Sequence, residues 1–91
     1  MTPFFVPLTT YVSWFSSPVS GDELKRLLER LGRSGFAEHE NVFQDSHGRT
    51  VRVADGTATI GIPASDLVDE QEQLEFVAAN LGLEVDACTR V

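Results

Sequence analysis

Two short stretches set a histidine beside carboxylates, a combination used both in metal centres and in general acid–base chemistry. They are Glu38-His39-Glu40 and Asp45-Ser46-His47. In the first, strand alternation sends His39 to the face opposite Glu38 and Glu40, so the three cannot converge on one ion. In the second, Asp45 and His47 share a turn, but two ligands do not make a metal site. Both stretches read as solvated turn and strand residues, and neither a metal nor any other cofactor is expected.

Nucleophilic chemistry fares no better. Cys88 is the single cysteine, which excludes an intramolecular disulfide and a cysteine-based zinc site. Glu84 and Asp86 lie close in sequence, and acids raise a thiol pKa. Any two of the fourteen Asp and Glu residues could be paired as a hydrolytic dyad, so such a pairing carries no information. The Gly61-Ile62-Pro63-Ala64-Ser65-Asp66 stretch lacks the glycines and the lysine of a phosphate loop. A chain of 91 residues seldom encloses a deep, dry pocket. The protein is therefore expected to be non-enzymatic.

The formal charge of −7 is unevenly placed. Residues 1–61 carry seven acids against six bases. Residues 62–91 carry Asp66, Asp69, Glu70, Glu72, Glu75, Glu84 and Asp86 against Arg90 alone. Such a segment repels phosphate backbones and anionic membranes and attracts basic surfaces. Direct nucleic-acid and membrane binding are disfavoured accordingly. The plain alternative is a solvated face that keeps the protein soluble. The opening Met-Thr-Pro-Phe-Phe-Val-Pro has no positive region, and its apolar run is broken by prolines, so neither a signal peptide nor a membrane span is expected. The lone cysteine fits a reducing, cytoplasmic location.

The elements that position these residues follow from periodicity. Thr, Tyr, Val, Trp and Phe between Leu8 and Phe15 predict a strand, and apolar residues on both faces make it an interior one. Ser20 and Glu23 form a capping box ahead of a helical stripe, Leu24, Leu27, Leu28 and Leu31, which Gly32 or Gly35 ends. Val51, Val53, Ala58, Ile60 and Ile62 alternate across Asp55-Gly56, the signature of a type I′ hairpin that pairs Val53 with Ala58. Asp45 to Gly48 predicts a type I turn with Gly48 in a bulge, which sets Phe43 opposite Val51. A second helix runs from Asp66 or Asp69 to Leu81, with its apolar face at Leu74, Val77, Ala78 and Leu81. Gly82-Leu83 has the form of a Schellman stop. Alternation from Leu83 to Val91 predicts a last, edge-type strand.

The result is one α+β domain over residues 1–91, in β-α-β-β-β-α-β order, with residues 1–7 irregular because regular pairing is expected to begin after Pro7. A mostly antiparallel sheet with both helices on one face, a two-layer sandwich, is its natural packing. First and last strands would then lie side by side, as in split β-α-β folds. The central α-β-β-β-α run shares its element order with double-stranded-RNA-binding domains. Those need bases at the start of their second helix, where this chain has Asp66, Asp69 and Glu70.

Tyr11, Trp14 and Phe15 are expected to be core residues. Phe4 and Phe5 either pack under a helix or form an apolar patch completed by a partner or a second copy. With no chemical site in view, the charge asymmetry decides the functional expectation. The chain is expected to be a small acidic protein-binding module, its leading form an inhibitor of a basic, nucleic-acid-handling protein, of the phage anti-defence or immunity type. The acidic face of Asp66, Asp69, Glu70, Glu72, Glu75, Glu84 and Asp86 would make the contact. The alternative is a regulatory or ligand-binding homodimer of split β-α-β type.

Overall fold

In the Asp55-Gly56 turn both residues have positive φ, 52° and 72°. That is the type I′ geometry whose twist matches a right-handed hairpin. It joins β4 (Thr50–Ala54) to β5 (Thr57–Pro63) in the register Val51–Ile60 and Val53–Ala58. The computed structural model describes residues 11–40, 42–64 and 67–91, and for Tyr11 and Val12 the backbone alone. Leu8 to Thr10, Phe4, Phe5 and Asp66 therefore lie outside the described residues.

The remaining elements are β1 (Tyr11–Pro18), α1 (Gly21–Arg33), β2 (Ala37–His39), β3 (Val42–Gln44), α2 (Glu70–Leu81), a 3₁₀ turn at Val85–Ala87, and β6 (Thr89–Arg90). Among the described residues the strands form one antiparallel sheet of six, in the order β2-β3-β4-β5-β1-β6. The fold is α+β. First and last strands are neighbours, and β1 is interior.

Along the middle of the sheet the register aligns Phe43, Val51, Ile60 and Phe15 in one row across four strands, with Arg90 of β6 at its end. Alternation carries these residues, with Ala58 and Ile62, to one face. There they join Leu27 and Leu31 of α1 and Leu74, Val77 and Leu81 of α2 in a single apolar cluster.

The capping box is present at α1. Ser20 Oγ accepts from the Glu23 amide, and the Glu23 carboxylate accepts from the Ser20 amide at 3.0 Å. That backbone donor is the main reason the Glu23 pKa lies below its usual value. The helix ends in a Schellman motif at Gly35, φ 84°, with the Phe36 amide donating to the Leu31 carbonyl at 3.0 Å. α2 starts on Asp69, whose carboxylate accepts from the Glu72 amide at 2.7 Å, and stops at Gly82 in the left-handed region. α2 has no base in its last turn. A β-carbon at Gly82 would overlap the Arg30 guanidinium, so α1 supplies the cation that the negative end of α2 attracts.

The structure corrects three expectations. β1 runs from Tyr11 to Pro18, beyond Phe15, because β5 continues to pair with Ser16, Ser17 and Pro18. Among the described residues four strands stand between the helices, not three, since Ala37–His39 pairs with Val42–Gln44. This fourth strand also ends the parallel in element order with double-stranded-RNA-binding domains. The predicted strand Leu83–Val91 forms only at Thr89–Arg90, and Val85–Ala87 is a 3₁₀ turn, closed by the Ala87 amide on the Glu84 carbonyl and the Cys88 amide on the Val85 carbonyl, each at 3.0 Å. A spacing of three brings Val85 and Cys88 to the same side, and both pack against the core. Strand alternation would have turned one of them away. Leu28 of the α1 stripe is largely exposed, while Phe36, just past the helix, is buried.

On the other sheet face, Trp14 lies across Gly61 of the adjacent strand. A β-carbon there would stand 2.7 Å from the indole. Gly61→Ala should therefore destabilise by about 1–3 kcal/mol through overpacking. Gly32→Ala, at a helical site where nothing lies within 4 Å of the new carbon, should gain up to about 1 kcal/mol. Urea unfolding of the two variants checks both signs.

Candidate functional site

The described acidic residues of the last third differ in what they touch. Asp69 is occupied in capping α2. The Glu70 carboxylate accepts from Arg90 Nη1 at 3.3 Å and from Nη2, and so ties α2 to β6. Arg90 also lies over the Phe15 ring, 4.9 Å from its centroid. The Arg90 hydrogen bonds hold the Glu70 pKa below its usual value. The polarity of Ser13 contributes, although its buried Oγ makes no hydrogen bond of normal geometry.

Four acids remain. Glu72 and Glu75 project from the outer side of α2, opposite its buried Leu74, Val77 and Leu81. Glu84 and Asp86 are exposed on the segment that follows. Glu75 accepts from Gln71 at 3.1 Å. Among the described residues none of the four meets a base at ion-pair distance.

The histidine and cysteine candidates are dispersed. β2, with His39, and β6, just after Cys88, are opposite edges of the sheet. Five strand spacings of about 4.8 Å separate them. The Cys88 pKa is raised, primarily by burial and against a lowering contribution from Ser17. The neighbouring acids are not the cause. Its Sγ donates to the Glu84 carbonyl at 3.5 Å. No group of three His, Cys, Asp or Glu residues suited to a metal occurs among the described residues.

Asp45 has a structural task. Its Oδ1 accepts the His47 and Arg49 amides, each at 2.9 Å, and its Oδ2 accepts Arg49 Nε at 2.7 Å. The bulged turn with Gly48 at φ 84° makes this closure possible. Arg49, at 9% exposure, then lays its guanidinium over Phe76 of α2, 4.2 Å from the ring centroid. Between the turn and the helix lies a cleft of about 340 Å³, lined by His47, Arg49, Pro63, Val68, Gln73 and Phe76, with Ala64 at its margin. Gln73 is buried and donates to the Pro63 and Val68 carbonyls at 3.2 and 3.3 Å, which fixes the wall between β5 and α2.

Sequence reasoning missed this cleft. Its signals were an Arg four residues after the turn Asp, and a Phe on α2 that the apolar stripe Leu74-Val77-Ala78-Leu81 leaves unexplained.

The chain matches no protein-family model, no curated protein and no solved structure. No helix among the described residues is long and apolar enough to cross a membrane.

Two outcomes follow. A carboxylate with a depressed folded pKa contributes stability above its unfolded pKa, about 4.3 for Glu, and loses it as pH falls through the lower folded value. The stability gap between wild type and Glu70→Gln, followed by thermal melts, should be largest near neutral pH and shrink as pH falls through and below the unfolded carboxylate value. It should be small throughout, because the pair is solvent-screened. Arg49→Ala strands a buried carboxylate that keeps only its two amide donors, and should cost about 3 kcal/mol in chemical denaturation.

Proposed function

We propose that the protein is a non-enzymatic binding module that engages a basic protein surface through Glu72, Glu75, Glu84 and Asp86. The observation that carries this reading is the division of labour among the acids. Asp69 and Glu70 stabilise the fold, and Arg90, the one base of residues 62–91, is committed to Glu70. The other four are solvent-facing and lack a partner base among the described residues. Carboxylates left without counter-charges repel nearby acids at a small cost to the fold. They also steer and orient a cationic partner. Presented together, they offer a nucleic-acid-handling protein negative charge where it meets phosphate, which is the form an inhibitor of phage anti-defence or immunity type would take. Asp69 and Glu70 contribute to the field and are not contact residues.

A second reading, a ligand-binding dimer built on the sheet, is supported by an open groove of about 590 Å³ on the face that carries Trp14, Arg52 and Thr59. It requires a defined dimer, which sedimentation across micromolar concentrations would reveal. A strict monomer removes it.

The charge reading is tested with a partner isolated at low salt and then purified. Calorimetry with the quadruple variant Glu72→Gln, Glu75→Gln, Glu84→Gln, Asp86→Asn should show at least about tenfold weaker binding, as expected for roughly 1.4 kcal/mol of lost charge complementarity. The salt dependence should flatten in parallel. Unchanged affinity in the quadruple variant would refute the electrostatic contact.

A further inference from the structure

The cleft between the β3–β4 turn and α2 is independent of the acidic surface. Its polar wall is a guanidinium that the fold has fixed on two sides. Asp45 takes Nε, and the Phe76 ring covers a face. Nη2 lies 3.4 Å from His47 Nδ1. No acceptor among the described residues meets Nη1. Ser13 Oγ is the one wholly buried, unpartnered side-chain N or O among the described residues, so Nη1 retains contact with solvent, and Arg49 lines the cleft. A nearly buried side chain thus keeps strong donors unused at the edge of a cavity.

Pro63, Ala64, Val68 and Phe76, the last 48% exposed, give this cleft of about 340 Å³ its apolar side, and His47 and Gln73 complete the lining. That size, with apolar walls and one or two placed donors, is the general form of a small-molecule site. We propose that the cleft binds a small, planar, uncharged molecule carrying a carbonyl acceptor, of the aromatic amide class. The carbonyl accepts from Arg49 Nη1, and the ring packs on Phe76, Val68 and Pro63.

Charge decides between an amide and a carboxylate. The Arg49 cation is already neutralised by Asp45, with side-chain exposures of 10% and 5%. A second carboxylate would leave the buried group with net negative charge, inside a chain that carries −7 overall. A neutral carbonyl takes the donor at no such cost and still receives a charge-assisted hydrogen bond.

Benzamide is the probe, with benzoate as its charged isostere, titrated into ¹⁵N- and methyl-labelled protein at 0.15 M salt. Benzamide should give saturable shifts at Ala64, Val68 and Phe76 in the millimolar range, the affinity that so few atoms support. Benzoate should bind more weakly. Arg49→Lys keeps the charge opposite Asp45 and removes the planar donor set, so benzamide affinity should fall by about tenfold, the loss of one charged hydrogen bond. Phe76→Leu, at a half-exposed position, leaves the ion pair untouched and should weaken binding several-fold, which keeps the test decisive if Arg49→Lys does not fold. The quadruple acid variant should bind benzamide as wild type does, so this result stands or falls apart from the partner-binding reading. Absence of saturable shifts, equal or tighter binding of benzoate, or undiminished binding by folded Arg49→Lys or by Phe76→Leu would overturn the proposal.

Discussion

The arrangement depends on β5, which is paired along both edges and buried along its inner face. One edge pairs with β4 through a turn that both its residues enter at positive φ, and the other edge pairs with β1 from the far end of the chain. On one face Ala58, Ile60 and Ile62 are fully buried, and on the other Gly61 lies under Trp14. A strand closed in this way tolerates no polar side chain along its inner face and no β-carbon at Gly61. In return it fixes the level of every other strand in the sheet. The row from Phe43 to Phe15 runs through Ile60. Gln73 of α2 donates to the carbonyl of Pro63, the last residue of the strand. The cleft wall and the core thus share one reference point.

Polar groups near the core serve in two ways. Asp45 and Arg49 form a nearly buried pair that shapes the β3–β4 turn, with the Asp45 carboxylate receiving three donors, enough to offset its loss of water. Glu70 and Arg90 form a looser pair at the opposite end of the sheet, where α2 begins and β6 runs. A charge near the fold is held only where donors meet it. A charge away from the fold is left to solvent, as Glu72, Glu75, Glu84 and Asp86 are.

Much of this was legible in the sequence because local signals and long-range packing agree. The capping box at Ser20, both hairpin registers, the apolar face of α2 and its Gly82 stop are each read from a few neighbouring residues, and each stands in the structure. The last segment was misread because Leu83, Val85, Ala87 and Val91 alternate as a strand does, whereas the 3₁₀ turn brings Cys88, three residues after Val85, to the core. β2 was missed because Ala37–His39 is exposed throughout and carries no apolar alternation. The cleft was invisible for a different reason. Its Arg and Phe lie on separate elements, far apart in sequence, and only the pairing of β4 with β5 and the seat of α2 on β5 bring them into contact.

The fit of Trp14 over Gly61 has a consequence for assembly. The β2–β5 meander is built from hairpins that close locally, whereas β1 must be held until β5 exists and then dock against its open edge. Until that moment β5 presents a row of unpaired amides and carbonyls to any passing strand, the usual route to swapped and aggregated chains. The vacancy above Gly61 is a keyhole. It admits a strand that lays a flat indole at that one register, and an intruding or slipped strand without such a ring leaves a void there. The missing side chain of one glycine thereby works as a proofreading device, rewarding the correct strand in the correct register over all others.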